Sequence, residues 1–203
     1  MTGIKALRSI RIGKETTAGA AVPATTYWRG LGTMEDTRET VFSEEDVGYL
    51  SGIDRTYVPK LAASIEFDEV PATFEQLPYI LNAGVMAGAG VQDGTGSGYV
   101  WTYTFATTAQ ATPSTYTIEA GDNTHVDEME YSHVEKFTIS GAPGEAVMCS
   151  ATWVGRQVTS SAFTTTATIP SVEEILFQKG TLAIDAIGGT FGATVVSNTF
   201  LGF

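Results

Sequence analysis

The chain has 203 residues, enough for one domain or one domain with arms, and 43% hydrophobic residues can fill its core. Its 22 glycines, many threonines and serines and only 17% charged residues lean toward short strands and turns and away from long helices. A net charge of −12, with the basic residues gathered at one end, argues against nucleic-acid binding, which needs clustered Lys and Arg to neutralise phosphate.

The first residues, MTGIKALRSIRIGKE, lack the continuous apolar segment of a secretory signal, and no run of eighteen apolar residues exists to span a bilayer. Synthesis in a cytoplasm is the expectation. Lys5, Arg8, Arg11 and Lys14 stand without an acid among them, so residues 1–15 read as a basic N-terminal arm. EDTRETVFSEED sets Glu35, Asp36, Glu39, Glu44, Glu45 and Asp46 against one arginine and opens a long acidic loop, residues 35–58. Met1 to Lys60 balances eight basic with eight acidic residues, and all the net charge falls after it. Such runs are ordinarily solvated surface; the sharper alternative is that arm and loop meet on neighbouring copies.

KLAASIEF alternates strictly, with Leu61, Ala63, Ile65 and Phe67 on one face, and predicts a half-buried strand. VPATFEQLPYILNAG changes the period. Phe74, Leu77 and Leu81 recur at helical spacing, Thr73 and Gln76 form a capping-box pair, and Pro78 kinks the helix or shifts its start, giving a short helix over residues 73–82. Residues 84–98 form a Gly-rich flexible loop: Gly88, Gly90 and Gly94 miss dinucleotide spacing, and Gly13-Lys14 lacks the Ser or Thr of a phosphate loop. GYVWTYTFAT predicts a strong strand with Tyr99, Trp101, Tyr103 and Phe105 on one side. STYTIEAGD and VEKFTISG follow, the latter paired with EAVMCSATWVGRQV across GAPGE, giving at least eight strands in all. SVEEILFQKG repeats the helix signature, with Ser171 and Glu174 as capping pair and Gly180 as the stop.

Chemistry-bearing patterns are sparse. The single cysteine, Cys149, excludes an internal disulfide framework and reads as a small buried apolar residue. No nucleophile-elbow or zincin spacing occurs. His125, Asp127, His133 and Glu135 would share one face of a straight strand, but its ends would lie roughly 30 Å apart, so one ion could not bind them all without a turn. A polar, solvent-facing strand edge is the preferred reading. No catalytic, cofactor-binding or metal-binding residue is assigned.

Four segments carry a resemblance: IRIGKETTAGAAVPATTYWRG near the start, PATFEQLPYIL at the helix, YTIEAGDNTHVDEMEYSHVEKFTISGAPGEAVMCSATWVGRQV in the middle and SVEEILFQKGTLAID late. In this order, and together spanning most of the chain, they resemble the major tail tube proteins of long-tailed bacteriophages, although none is specific alone. The resemblance implies a mainly β protein: a β-sandwich or partial barrel with one flanking helix, residues 1–203 forming a single domain. Six copies would close into a ring, inner strands joining neighbours into one continuous barrel, and rings would stack into a tube conducting DNA. Partners implied are further copies of the chain, a tape measure protein and tail terminator and tip proteins; the location is the virion tail, after assembly in the host cytoplasm.

A ring of six copies would carry about −72, and lumen carboxylates within a Debye length of about 8 Å would repel passing phosphates. Glu66, Asp68, Glu128 and Glu130, at alternate positions in strand-like runs, are the lumen candidates. Ring stacking would fall to the basic arm and the acidic loop. The apolar finish NTFLGF departs from the family, whose members often continue with further strands, and reads as a truncation. Alternatives are an inner-tube subunit of a contractile tail, injection system or gene transfer agent. More distant are a carbohydrate-binding β-sandwich using Trp28, Tyr99, Trp101 and Tyr103, and an enzyme or metal site near His125 to His133.

Overall fold

The computed structural model describes residues 3–50, 53–104, 108–190 and 192–196. The chain is mainly β, built around one large antiparallel sheet. Its strands are β1 (Ser9–Lys14), β2 (Thr26–Trp28), β3 (Gly32–Asp36), β4 (Glu39–Glu44), β5 (Ile53–Lys60), β6 (Ala63–Pro71), β7 (Gly90–Gln92), β8 (Tyr99–Trp101), β9 (Tyr116–Gly121), β10 (Val126–Ser140), β11 (Met148–Gly155), β12 (Val158–Ser161), β13 (Leu182–Ala183) and β14 (Val195–Val196). One helix, α1 (Leu77–Gly84), and two 3-10 turns, Lys5–Leu7 and Phe177–Lys179, complete the described elements. The main sheet runs β2-β1-β9-β10-β11-β6-β3, and β12 also pairs with β10.

β10 organises the molecule. Its first residues, Val126 to Met129, lie between β9 and β12, and its later ones, His133 to Ser140, pair with β11. A register shift against β9 between Met129 and Ser132, which spans Tyr131, a non-glycine residue in the left-handed region at φ 58°, and another against β11 between Val134 and Lys136 mark the change. The apolar faces of the two halves meet: Trp28 of β2 stacks on Phe67 of β6 at 4.6 Å, Phe67 touches Trp153 of β11 at 5.6 Å, and Trp153 meets Tyr116 of β9 edge-on at 5.6 Å. Tyr79 of α1 extends this chain of rings to the helix. Burial pushes the Tyr116 phenol up to about 12, as a dry core demands.

Several expectations hold. Ala63, Ile65 and Phe67 line the inner face of β6, β11 pairs with β10 across GAPGE, and Cys149 is buried among apolar side chains. Its thiol is pushed up, by burial first and then by Glu69.

Others are corrected. Leu61 lies exposed between β5 and β6, outside the alternation it continues in sequence. Pro78 does shift the helix start: Thr73 and Gln76 bond each other in the turn ahead of α1, Gln76 N donating to Thr73 Oγ1 at 3.3 Å, and helical residues begin at Leu77. The buried face is Ile80, Asn82 and Ala83, while Phe74 is exposed. SVEEILFQKG forms only the 3-10 turn before Gly180. Residues 173–177 run extended between 72–74 and 145–147, bonding both, so satisfied backbone outweighs the helical signature. GYVWTYTFAT yields only the three residues of β8, paired with β7 in a hairpin apart from the main sheet, and its aromatics Tyr99 and Trp101 are exposed. Phe105 lies outside the described residues. That hairpin also removes residues 90–92 from the Gly-rich loop. Among the described residues no helix is long and apolar enough to cross a membrane.

Candidate functional site

The open face of β10, β11, β6 and β3 is polar because its strands alternate. Register aligns Lys136, Thr152, Glu66 and Thr33 in one row across four strands. Beside it Asp68, Glu69, Thr138 and Ser150 line a shallow groove of about 300 Å3, where the Ser140 hydroxyl donates to Glu69 Oε1 at 3.3 Å. Glu66 and Asp68 are thus exposed on a broad sheet surface carrying three carboxylates and one lysine.

Glu130 is placed otherwise. The two-residue link between β11 and β12 lies over it, and its Oε1 accepts from Arg156 Nε at 3.1 Å, Arg156 Nη2 at 2.8 Å and Gln157 Nε2 at 2.8 Å. Only 4% exposed, it is a buried carboxylate paired with the half-exposed Arg156 and not an open lumen charge. Glu128 is intermediate: it stands half-buried opposite Glu119 of β9, and Ser161 Oγ donates to it at 3.4 Å. Burial pushes its carboxyl up, the Glu119 charge adds to this and Ser161 opposes it.

A carboxyl raised in the folded state binds its proton more tightly there than in the unfolded chain. The stability cost is absent below the unfolded range, grows as pH rises through it and is complete above the folded value. Glu128→Gln is therefore expected to melt higher than the parent at pH 7 and to lose that advantage near about pH 3. An equal shift at both pH values, measured by thermal denaturation, would refute the assignment.

The basic residues separate into two kinds. Lys5 and Arg8 are exposed around the 3-10 turn, which is tied down by Ile4 N donating to Asn123 Oδ1 at 3.0 Å. Arg11 and Lys14 belong to β1, inside the sheet between β2 and β9, so residues 9–14 are strand and not arm. Arg11 is held over the rings of Tyr27 and Phe163 at 4.6 and 4.0 Å and donates to Tyr27 Oη at 2.8 Å and to the Thr164 carbonyl. The acidic loop is largely strand as well. β4 and β5 form a projecting hairpin that prolongs β3 and β6, Glu39 opposite Lys60 and Glu44 opposite Ile53. Asp36 pairs with Arg38, and Glu45 with Arg55 at 2.5 Å; Glu35, Glu39, Glu44 and Asp46 stay free of such pairs among the described residues. Ser51 and Gly52 of this segment lie outside the described residues.

His125 and Asp127 do come together, Nε2 to Oδ1 at 2.9 Å, but at the start of β10, before the bend that separates them from His133 and Glu135. β10 is central, not an edge, and among the described residues no three metal-capable side chains cluster. Trp28 is buried in the core, and Tyr103 turns inward to donate to Asn82 Oδ1 at 3.1 Å, leaving only Tyr99 and Trp101 of the aromatic set exposed.

Sequence reading misses two buried carboxylates. Glu15 accepts four hydrogen bonds, and Glu119 accepts from Thr164 N at 2.8 Å and Thr164 Oγ1 at 2.5 Å. The available signal for the second is a lone acid inside the apolar run YTIEAG. The sequence matches no protein-family model and no curated protein.

Proposed function

We propose that the chain is the structural subunit of a bacteriophage tail tube, whose copies close into rings that stack and conduct DNA. The observation that carries this reading is the β4–β5 hairpin. It projects from a well-packed sheet and exposes Phe42, Val47, Tyr49, Leu50 and Tyr57. An isolated two-stranded ribbon is marginal in water, and apolar side chains in this number call for a covering surface. The hairpin occupies the segment that the family resemblance assigns to contact between rings.

In this reading the sheet is a partial barrel whose edge strand β3 is completed by a neighbour, while β2 is already covered by Thr168 of its own chain, and ring closure removes the remaining edge-strand liability. α1 braces the sheet from outside. Glu66 and Asp68, on the open face, are the acids best disposed to face a lumen, where they would repel phosphate and let DNA slide without sticking. Glu128 contributes less, being half-buried, and Glu130 is neutralised by Arg156. The mechanism is charge and smoothness, with no chemical step. Tape measure, terminator and tip proteins would cap and measure the tube in the virion.

Negative-stain electron microscopy of the concentrated protein across a range of salt tests the reading. Rings or hollow tubes of uniform bore are the expected result, and helical reconstruction would then identify the lumen residues. Dispersed monomers at every salt and concentration would overturn it.

A further inference from the structure

A second concavity lies away from the open sheet face. Phe74, Glu75 and Pro78, from the turn before α1 and the helix's first turn, form one wall; Ser97, Gly98, Tyr99 and Trp101 of the β7–β8 hairpin form another, and Glu173 closes it. The recess holds about 650 Å3, within the range of sites that take a small ligand or a few side chains. Its three aromatic side chains are exposed, and its charged members are both acids. Glu173 N donates to Glu75 Oε2 at 3.0 Å, which fixes Glu75, while the Glu173 carboxylate is exposed and among the described residues pairs only with Lys179, loosely, at 3.8 Å. Aromatic faces beside carboxylates favour a cation with an apolar skirt.

The same chain displays such a group. Around the first 3-10 turn Lys5 and Arg8 alternate with Ile4 and Leu7, both more than half exposed. Asp122 is engaged first by the Thr124 and His125 amides, which hold its carboxyl below the usual range, and Arg8 adds only a weaker pull from a distance beyond an ion pair. The turn leads into Ser9, paired with Gly121, which pairs in turn with Val126 at the start of β10. The recess sits at the other end, where Pro71 of β6 pairs with Met148 and Met148 with Ser140. Ile4 N is held at the first end by Asn123 Oδ1, and no residue of the turn lines the recess, so a chain does not fill its own recess.

We infer that the recess of Phe74, Glu75, Tyr99, Trp101 and Glu173 receives the Ile4–Arg8 turn of a second copy of this chain. Complementary surfaces at opposite ends make a heterologous, head-to-tail contact, which generates rings or filaments and not closed dimers. The hairpin β4–β5 is a poorer acceptor for the turn: it leaves the sheet where Ala63 pairs with Gly155, beside Glu130, on the same Val126 half of β10 as the turn itself. The inference shares with the tail-tube reading only the premise that copies of this chain associate.

Charge exchange on the full-length protein, followed by sedimentation velocity at low and high salt, provides the test. Arg8→Glu and Glu173→Arg each remove one side of the contact, and each is expected to weaken association about tenfold. Because every head-to-tail contact uses one turn and one recess, the double variant in a single chain rebuilds the pair reversed and is expected to recover most of the loss. Both positions are exposed, so circular dichroism and melting temperature should not move. Association unaffected by either single variant, or a double variant weaker than both, overturns the inference while leaving the tail-tube reading standing. A monomer under all conditions overturns both. Binding of an oligosaccharide that Tyr99→Ala and Trp101→Ala abolish, with association unchanged, would assign the recess to a glycan instead.

Discussion

Trp153→Ala is expected to cost about 3–5 kcal/mol, the largest loss available from a single side chain in this core. Trp153 is fully buried in β11 and sits at the centre of the ring chain that joins both halves of the sheet to α1: Phe67 on one side, Tyr116 on the other, each at 5.6 Å. Truncation opens a cavity that rigid neighbours on β6, β9 and β10 cannot collapse into. Trp153→Phe separates packing from polarity. The indole Nε1 finds no acceptor among the described residues, so the phenyl replacement forfeits area but no hydrogen bond and should cost less than half as much. Urea denaturation followed by circular dichroism reads both variants; equal losses for Ala and Phe would mean that the ring chain is not what joins the halves.

The strands that carry this core were readable because one face of each alternates cleanly. Ala63, Ile65 and Phe67, or Cys149, Ala151 and Trp153, announce both a strand and its buried side. Where alternation misled, the reason is local. Tyr99 and Trp101 alternate as well as any core strand, yet their hairpin docks outside the main sheet, and period two states only that two faces differ, not which one finds a partner. SVEEILFQKG carries a capping pair, but two flanking segments each needed a backbone partner, and an extended chain supplies both where a helix supplies neither. The charged positions were the least legible. Arg11 counted as one of four basic arm residues, and Glu130 as one of four open acids; each is engaged, Arg11 half-buried and Glu130 buried, because a later segment, residues 163–164 or 156–157, folds over it. Such contacts span tens to more than a hundred residues and leave no periodic trace. Lys5, Arg8, Glu66 and Asp68 stay exposed as expected of solvated charge.

Glu15 illustrates the same point with the second large effect. It is 7% exposed, and its carboxylate accepts from Gly19 N and Thr115 Oγ1 at 2.7 Å, Tyr131 N at 2.8 Å and Thr117 Oγ1 at 3.2 Å, with no cation among these partners. Two of those donors belong to backbone in the left-handed region, Gly19 at φ 79° and Tyr131 at φ 58°. Glycine adopts it freely, whereas tyrosine pays about 1–2 kcal/mol there. The bond from Tyr131 N to Glu15 offsets part of that strain and pins the bend at which β10 passes from β9 to β11.

Glu15→Leu would orphan buried donors on three segments at once, and a loss on the order of 3–5 kcal/mol is expected. Tyr131→Gly in the parent should be close to neutral, since relief of strain roughly balances the added freedom of the unfolded chain. Combined with Glu15→Leu, however, it should recover about 1 kcal/mol, because the strain that Glu15 restrains is then gone. Additivity of the two changes would show that Glu15 acts on Gly19 and the threonines alone. Amide exchange gives an independent reading at the bond itself: Tyr131 N–H should be protected in the parent and exchange rapidly in Glu15→Leu, while amides of β6 and β11 keep their order of protection. Under the tail-tube proposal, if the bend also sets the angle at which neighbouring subunits meet, Glu15→Leu protein that remains folded should form rings or tubes of uneven bore. That outcome would tie a single buried carboxylate just after β1 to the geometry of the assembly.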